Sequence, residues 1–187
     1  MRIISGKFKG KTVLFTKTNS TRPLKDSVKE SIFNIIVHSN LIKVSIEKSK
    51  ILDLYSGIGS FGLESISRGA DKITFVEKDK RIVETLNKNL EALSVREKAT
   101  VITEEVTNFL KKIKLVKFDI FFLDPPFKSK NFLEDLELIK QNKIYNKKHI
   151  IIIHRERNCN EKLNDIIRPI IIKKYGRSKI IFAKFLD

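Results

Sequence analysis

The sequence predicts a three-layer α/β domain in which a mostly parallel sheet lies between helices. Five apolar runs of strand length alternate with segments whose apolar residues recur at helical spacing. Such alternation is typical of a parallel sheet that is covered on both faces. Two further β runs near the carboxyl end, 166–173 and 179–185, are joined by the turn Tyr175 to Ser178 and predict an antiparallel hairpin.

The elements of the alternating part follow from local patterns. Strand candidates are short runs rich in Ile, Val and Phe, whereas helix candidates are longer and place apolar residues three and four positions apart. The predicted strands are 51–55, 73–77, 100–102, 118–123 and 149–154, and the predicted helices between them are 60–68, 80–93, 106–113 and 132–141.

A basic segment precedes the alternating part. Residues 2–15 contain two short β pieces around a basic, glycine-flanked turn and predict a small hairpin. A helix is predicted over 25–37, where apolar residues have helical spacing and Pro23 stands just before the first turn. We therefore expect an N-terminal extension of residues 1–40 and a main domain of residues 41–187.

Length and composition exclude several classes of protein. The chain has 187 residues, of which 41% are hydrophobic and 32% charged, so it suits one packed domain and is too apolar for a disordered polyelectrolyte. Its apolar runs, such as 150–153, are far shorter than the about 20 residues that span a bilayer. A single cysteine, Cys159, and three scattered histidines, His38, His149 and His154, give neither a disulfide framework nor a credible metal site. We expect a soluble, cytoplasmic monomer that binds no metal and no membrane.

The formal net charge of +16 is unevenly distributed along the chain. Residues 1–30 hold 8 Lys and Arg against 2 Asp and Glu, residues 140–187 hold 13 against 4, and the middle holds 17 against 16. A neutral middle between basic ends favours a central small-molecule site and a surface for nucleic acid. A general lysine surplus, as in proteins from AT-rich genomes, is the alternative, but it does not explain the neutral middle. The candidates for nucleic-acid contact are Arg2, Lys7, Lys9, Lys11, Arg22 and Arg177.

A glycine-rich motif follows the first predicted strand. Gly57, Gly59 and Gly62 form a GxGxxG pattern, which alone is also compatible with an ordinary turn between a strand and a helix. Asp53 stands four residues before the first glycine and places a carboxylate at the carboxyl edge of the sheet. A carboxylate there repels the pyrophosphate of a dinucleotide but suits a ligand with an ammonium group. S-adenosylmethionine (SAM) carries such a group on its methionine part and has no phosphate.

An acidic residue also ends the second predicted strand. Glu77 lies 20 residues beyond Gly57, where an acidic residue that binds a ribose diol is expected. Lys78 follows directly and is a further candidate for contact with the cofactor. Many strands end in an acidic residue by chance, but the combination with Asp53 and the glycines favours a nucleoside ligand.

The sequence Asp124-Pro125-Pro126-Phe127 follows the fourth predicted strand, at the edge where α/β proteins bind ligands. An exocyclic amine of a base is a poor nucleophile because its lone pair is delocalised into the ring. Acceptors on its two N–H bonds, here the Asp124 carboxylate and the Pro125 carbonyl, favour a localised lone pair that attacks an electrophilic methyl group. The prolines fix these acceptors in advance, and Phe127 offers a stacking face worth about 1–3 kcal/mol. The motif therefore predicts methyl transfer to an amine.

Together these residues resemble the SAM-dependent methyltransferases of the Rossmann-like class I fold, and the whole chain resembles the RsmD family. The resemblance extends from the basic opening 2–11, through 21–34 and the three motifs, to Tyr175 and Gly176. It implies a seven-stranded, mostly parallel sheet. That family methylates the N2 amine of a guanine in bacterial 16S ribosomal RNA, at guanine 966. The resemblance thus implies SAM as the cofactor, no metal, and 16S rRNA or the assembling small ribosomal subunit as the partner.

The resemblance also implies roles for individual residues. The implied SAM contacts are Asp53, Tyr55, Gly57, Gly59 and Glu77, and the implied target-amine site runs from Asp124 to Phe127. The family tends to carry Asp or Asn before Ala after the third strand, where the adenine amine binds. This chain has Glu105 before Val106 there, so Glu105 is the candidate for that contact. Tyr55 replaces the usual Phe or Cys.

Three other functions are compatible with parts of this pattern. The nearest is an amine methyltransferase for DNA adenine or protein glutamine, although those enzymes more often have Asn and Tyr where this chain has Asp124 and Phe127. A non-catalytic RNA-binding protein on the same fold is a second alternative, disfavoured by the intact glycines and Asp124. An NAD-dependent oxidoreductase is the third, disfavoured by Asp53.

Overall fold

The computed structural model describes residues 1–15, 24–126, 129, 131–159 and 163–186. In chain order the helices and strands of this part are α1 (Asp26–His38), β1 (Lys50–Leu54), α2 (Ser60–Ser67), β2 (Lys72–Glu77), α3 (Lys80–Ala92), β3 (Ala99–Thr103), α4 (Val106–Lys112), β4 (Phe118–Leu123), α5 (Phe132–Gln141), β5 (Tyr145–Glu156), β6 (Ile167–Tyr175) and β7 (Ser178–Phe185). Their ends agree with the sequence predictions to within two residues, except that β5 begins four residues earlier than predicted.

The strands form one sheet in the order β3-β2-β1-β4-β5-β7-β6. β1 to β5 pair in parallel, and β7 is antiparallel to both β5 and β6. The predicted Rossmann-like sheet, seven-stranded and mostly parallel, is thus confirmed. The strand order reverses between β1 and β4, and the crevice at such a point is where open α/β sheets bind ligands.

Both faces of the sheet are buried, which explains why its strands are continuous apolar runs. Alternate residues of β4 face different cores: Phe122 belongs to the core under α1, α2 and α3, and Phe121 to the core under α4 and α5. The rings of Phe33, Phe61 and Phe122 stack in series, with centroids 5.1 and 4.2 Å apart. This stack joins α1 and α2 to the strand that leads into the Asp-Pro-Pro loop.

The N-terminal segment pairs with itself over a shorter stretch than predicted. Arg2 and Thr12 form one antiparallel bridge. Beyond it the backbone leaves the ladder, because the N–H groups of Ile4 and Ser5 donate to the Glu64 carboxylate at 2.8 and 3.0 Å. A buried side chain of α2 therefore replaces the strand partner that a longer hairpin would supply.

Polar side chains of the main domain hold this segment in place. Glu64 is fully buried and lies 3.7 Å from the Nζ of Lys29, which is also buried. Asn89 of α3 accepts from the N–H of Leu14 and donates to its carbonyl oxygen. The division between residues 40 and 41 stays a prediction, and apolar residues from both sides of it lie in the same core.

Candidate active site

A cavity of about 570 Å³ opens at the carboxyl ends of the central strands. Its wall includes Asp53 of β1, Glu77 of β2, Asp124 after β4 and His154 of β5. These residues are far apart in sequence, and the parallel sheet brings them to one edge. The catalytic and cofactor candidates that line the cavity are Asp53, Tyr55, Gly57, Glu77, Lys78, Glu105, Asp124, Pro125 and Pro126.

The three glycines of the motif have different structural roles. Gly57 lines the cavity, and nothing lies within 4 Å of where a side chain would begin. Gly59 has a φ of 86°, and a Cβ there would lie 2.5 Å from Leu86. At Gly62 a Cβ would collide with the ring of Phe75. Only Gly57 therefore borders the ligand space, whereas the other two glycines let α2 approach β2 and α3.

The Asp53 carboxylate is buried and only half satisfied. Its Oδ2 accepts a 3.0 Å hydrogen bond from the Gly62 N–H, whereas no described group bonds to its Oδ1. The buried Oγ atoms of Ser56 and Ser60 in the same wall also lack a described partner. Burial raises the pKa of Asp53 well above its usual value, the Gly62 hydrogen bond opposes this, and two nearby carboxylates add to it. A cationic ligand with N–H groups would complete this set of acceptors.

Glu77 holds the glycine-rich turn from the neighbouring strand. Its Oε2 accepts from the Gly57 N–H and its Oε1 from the Asp79 N–H, each at 3.0 Å. Asp79 in turn caps α3 by accepting from the N–H of Arg81 at 2.9 Å. An ionised carboxylate has about four acceptor sites, so Glu77 retains capacity for the hydroxyl groups of a ribose.

Tyr55 connects the cavity wall to the helices α4 and α5. It lies just after β1 with a φ of 58°, and its hydroxyl donates to Oδ2 of the buried Asp135 on α5. Thr107 of α4 donates to Oδ1 of the same carboxylate at 2.6 Å. Burial and the hydrogen bond with Asp135 raise the pKa of Tyr55. Sequence reasoning missed Asp135 and Thr107, because neither belongs to a local motif.

Lys78 and Glu105 form an ion pair at the rim of the cavity. The Lys78 Nζ lies 2.9 Å from the Glu105 Oε1, and the two side chains are 64% and 56% exposed. The hydrogen bond with Glu105 raises the pKa of Lys78. An exposed pair of this kind contributes at most about 1 kcal/mol, so a ligand amine can compete with Lys78 for the carboxylate.

Asp124 contacts a histidine that sequence reasoning set aside. Leu123 pairs with Ile153 in the ladder between β4 and β5, so the next residues, Asp124 and His154, are neighbours. The Asp124 Oδ1 and the His154 Nδ1 are 2.8 Å apart, and the side chains are 22% and 11% exposed. The register between the two strands is the signal that could have found His154.

The Asp-Pro-Pro loop is also fixed by the residue after His154. Arg155, which is 2% exposed, donates to the carbonyl oxygens of Pro126 and Ser129 at 3.1 and 3.3 Å. Its guanidinium lies 4.4 Å from the ring centroid of Phe132. The loop backbone is therefore braced from its buried side. Phe127, the stacking candidate, lies outside the described residues.

The described wall of the cavity is acidic, although the chain as a whole is basic. Its carboxylates are Asp53, Glu77, Asp79, Glu104, Glu105 and Asp124. Its basic side chains are Lys78 and His154, and each contacts one of these carboxylates. Such a wall favours a cation over a phosphate.

Four of the candidates for RNA contact lie on the N-terminal segment. Arg2, Lys7, Lys9 and Lys11 are all exposed. The Lys7 N–H donates to the carbonyl oxygen of Ser67, the last residue of α2. Because α2 has eight residues and begins at the cavity, this contact lies about 12 Å along the helix from the ligand space.

A fifth candidate lies at the edge of the sheet where the cavity opens. Arg177 is exposed in the turn between β6 and β7, and its carbonyl oxygen accepts from the N–H of Arg157 at 2.9 Å. This bond continues the pairing of β5 with β7 beyond Glu156 and Ser178. Arg157 is exposed as well and was missed by sequence reasoning, whereas Arg22 lies outside the described residues.

In the described part of the chain, no cluster of three or more His, Cys, Asp or Glu side chains is arranged to hold a metal ion. The helices described here are all too short or too polar to cross a membrane.

Known proteins resemble this chain over almost its whole length. A family model described as conserved hypothetical protein 95 matches residues 1–184. Ribosomal RNA small subunit methyltransferase D of Haemophilus influenzae is 34% identical over 160 residues, which cover 84% of this chain and 80% of that protein. The protein of the same name from Buchnera aphidicola subsp. Baizongia pistaciae is 31% identical over 187 residues, covering 100% and 92%.

Solved structures share the fold. A candidate methyltransferase from Escherichia coli superimposes with a TM-score of 0.85 at 26% identity, covering 99% of this chain and 97% of that chain. A candidate methylase from Haemophilus influenzae gives a TM-score of 0.78 at 31% identity, covering 100% and 98%. The family model and the end-to-end similarity of the relatives agree, and the chain therefore belongs to the RsmD family.

Proposed function

We propose that this protein transfers a methyl group from SAM to the N2 amine of a guanine in 16S ribosomal RNA. Membership of the family and the names of the relatives support an rRNA methyltransferase. The observation that carries the proposal is a single cavity that joins the half-satisfied carboxylate of Asp53 to the amine-binding candidate Asp124. The choice of guanine N2 rests on the resemblance of the whole chain to the family.

The side of the cavity around Asp53 fits SAM. The unpartnered Oδ1 of Asp53 suits the ammonium group of the methionine part. Glu77 has acceptor capacity for the ribose hydroxyls, and Glu105 at the rim is the candidate for the adenine amine. When bound, SAM supplies an electrophilic methyl group whose bond to a positively charged sulfur breaks as the sulfur takes the electron pair and the amine nitrogen provides the pair for the new bond.

The Asp124 side of the cavity prepares the amine. In this proposal the Asp124 carboxylate accepts one N–H of the target amine and the carbonyl of Pro125 accepts the other; both residues line the cavity. These two bonds favour a localised lone pair on the nitrogen. After transfer the nitrogen must lose a proton, and the Asp124 carboxylate is the adjacent group that accepts it. The rigid prolines and the Arg155 brace keep both acceptors in place, so little reorganisation is needed during the reaction.

The basic residues beside the cavity provide the contact with RNA. Arg157 and Arg177 lie about three residues beyond His154 along β5 and its partner strand, about 10 Å at the usual rise of a strand. Lys7, whose N–H donates to the last residue of α2, and the nearby Lys9 lie further away, and in this proposal they contact a more distant part of the same RNA. Both groups attract phosphates, whereas the acidic cavity wall does not.

The test is methyl transfer from labelled SAM to unmodified small subunits and to free 16S rRNA, followed by nucleoside mass spectrometry. We expect N2-methylguanosine with the wild-type protein. Asp124→Ala should lower the rate at least about 100-fold and leave the affinity for SAM within twofold, because it removes an acceptor that acts on the amine. Asp71→Ala, at an exposed aspartate outside the cavity, should have wild-type activity.

Three results would contradict the proposal. Label found in DNA adenine or in protein glutamine, and not in RNA, would assign the enzyme to a different substrate class. Label in RNA on a base other than guanine would refute the proposed target. Full activity of Asp124→Ala would refute the role given to that carboxylate.

A further inference from the structure

His154 contacts the carboxylate on which the proposed transfer depends. Its Nδ1 lies 2.8 Å from the Oδ1 of Asp124, and both side chains line the same cavity. The His154 side chain is only 11% exposed, so water competes little for this contact. The histidine is held by β5 and the aspartate by the end of β4, two adjacent strands whose register is fixed by the ladder.

The chemistry of the two groups determines the direction of the hydrogen bond. An ionised carboxylate has only acceptor sites, so the Nδ1 of His154 carries the hydrogen and donates it. The bond occupies one site of Oδ1 and leaves Oδ2 of Asp124 to accept from the amine. A single orientation of the carboxylate is then favoured before the substrate arrives, as in other sites where a neighbouring group orients the reacting one.

A hydrogen-bond donor to Asp124 is important because other carboxylates line the same cavity. Asp53 and Glu77 share the cavity with Asp124, and the repulsion between Asp53 and Asp124 is mutual. Without a local donor, repulsion between these like charges favours rotation of the Asp124 side chain away from the cavity. On β5, His154 supplies the donor to the side chain, whereas Arg155 binds the loop backbone.

We propose that His154 is a positioning residue for methyl transfer: its hydrogen bond holds the Asp124 carboxylate in one orientation, so that Oδ2 receives the target amine. The inference rests on the proposed function, because it requires that Asp124 bind the amine. It predicts that His154 affects the rate of transfer and not the binding of SAM or of RNA.

Three substitutions separate the donor from the rest of the side chain. His154→Ala removes the donor. His154→Asn keeps an N–H group near the position of Nδ1, whereas His154→Gln places its N–H one bond further along, out of reach of Asp124. His38→Ala, at an exposed histidine at the end of α1, is the matched control.

The variants are compared by kcat, by KM for RNA and by calorimetric affinity for SAM. We expect kcat to fall about 10- to 100-fold in His154→Ala and His154→Gln, the range found when a group that orients a reacting residue is removed. KM for RNA and the affinity for SAM should stay within about twofold of wild type, because the substitutions leave unchanged the interactions that bind the ground state and the transition state equally. His154→Asn should recover most of the lost rate, and His38→Ala should match wild type.

An active His154→Ala enzyme with wild-type kcat would overturn the inference. If that variant does not fold, equal rates in His154→Asn and His154→Gln would overturn it instead. The contact itself is tested by NMR, as an exchange-protected imidazole Nδ1 proton that is present in the wild type and lost in Asp124→Ala. Its absence from the wild type would remove the basis of the inference. A wild-type protein that methylates no RNA would refute the proposed function and this inference together, whereas unchanged variants of an active enzyme would refute the inference alone.

Discussion

Replacing Asp53 by Asn removes one negative charge from the cavity and leaves the size of the side chain nearly unchanged. The amide oxygen of Asn can still accept from the Gly62 N–H, which bonds to Oδ2 at 3.0 Å in the wild type. The other atom changes its character, because the unpartnered Oδ1 becomes a neutral NH2 group that repels an ammonium group. The substitution therefore tests the charge of Asp53 separately from its volume.

Binding of SAM should weaken by about 3 kcal/mol. Removing one partner of a buried, hydrogen-bonded charge pair costs about 2–5 kcal/mol. Asp53 is 1% exposed, but the cavity beside it is open, so a value below the middle of that range is expected. At about 1.4 kcal/mol per factor of ten, the dissociation constant should rise about 100-fold.

The same substitution should affect the stability of the protein without ligand, with a sign that depends on pH. Burial raises the pKa of Asp53, so the folded state binds the proton more tightly than the unfolded state. The resulting stabilisation is complete below the unfolded pKa of about 3.9 and is lost as pH rises through the folded value, by up to about 1.4 kcal/mol per pH unit. Asn lacks this loss, so the variant should gain stability relative to wild type as pH rises.

Calorimetric titration with SAM measures the first effect, and urea denaturation at pH 4 and pH 8 measures the second. Asp71→Asn, in the exposed turn between α2 and β2, is the matched control and should change neither quantity. A dissociation constant for Asp53→Asn within threefold of wild type would refute the ammonium-binding role. A difference in unfolding free energy that is the same at both pH values would refute the argument from burial.

Three further predictions concern other parts of the structure. Glu64→Ala removes the acceptor of two backbone N–H groups and also removes a buried carboxylate that pairs with Lys29. The free energy of unfolding in urea should therefore fall by about 3 kcal/mol, and a loss below about 1 kcal/mol would contradict this. Gly62→Ala forces a methyl group into the space between α2 and β2 and should cost about 1–3 kcal/mol in thermal unfolding, so an unchanged Tm would be inconsistent with the packing. Changing Arg157 and Arg177 together to Glu should weaken RNA binding and reduce the slope of log K against log salt by about 1.5, measured by fluorescence anisotropy, and an unchanged slope would place the RNA elsewhere.

Most strands and helices could be predicted because each has a local pattern. Parallel strands buried on both faces are apolar runs, and the helices that cover them have one apolar face. The first part of β5 is the exception. Residues 146–148 are polar, and their strand conformation depends on Tyr145 pairing with Phe118 of β4. That pairing is non-local, so the sequence of the segment does not reveal it.

The residues of the candidate site also include some that local sequence predicts and others that it does not. Asp53, Glu77 and Asp124 could be singled out because each ends a predicted strand, and strand ends meet at one edge of a parallel sheet. Their partners could not be identified, because these come from distant segments: the hydroxyl of Tyr55 binds a carboxylate 80 residues away, and Asp124 contacts a histidine 30 residues away. Such contacts follow from strand register and helix packing, which no local pattern contains.

The charge of the described side chains changes sign over a short distance at the mouth of the cavity. Outside, Arg157 and Arg177 are exposed and positively charged, whereas the described wall and rim of the cavity carry six carboxylates, which repel phosphates. A nucleotide that approaches with its phosphates foremost is turned back, but an uncharged base meets no such barrier. For the proposed RNA substrate, this arrangement favours one direction of approach before any hydrogen bond to the base forms, in which a nucleotide swung out of its stack enters the cavity with the base leading.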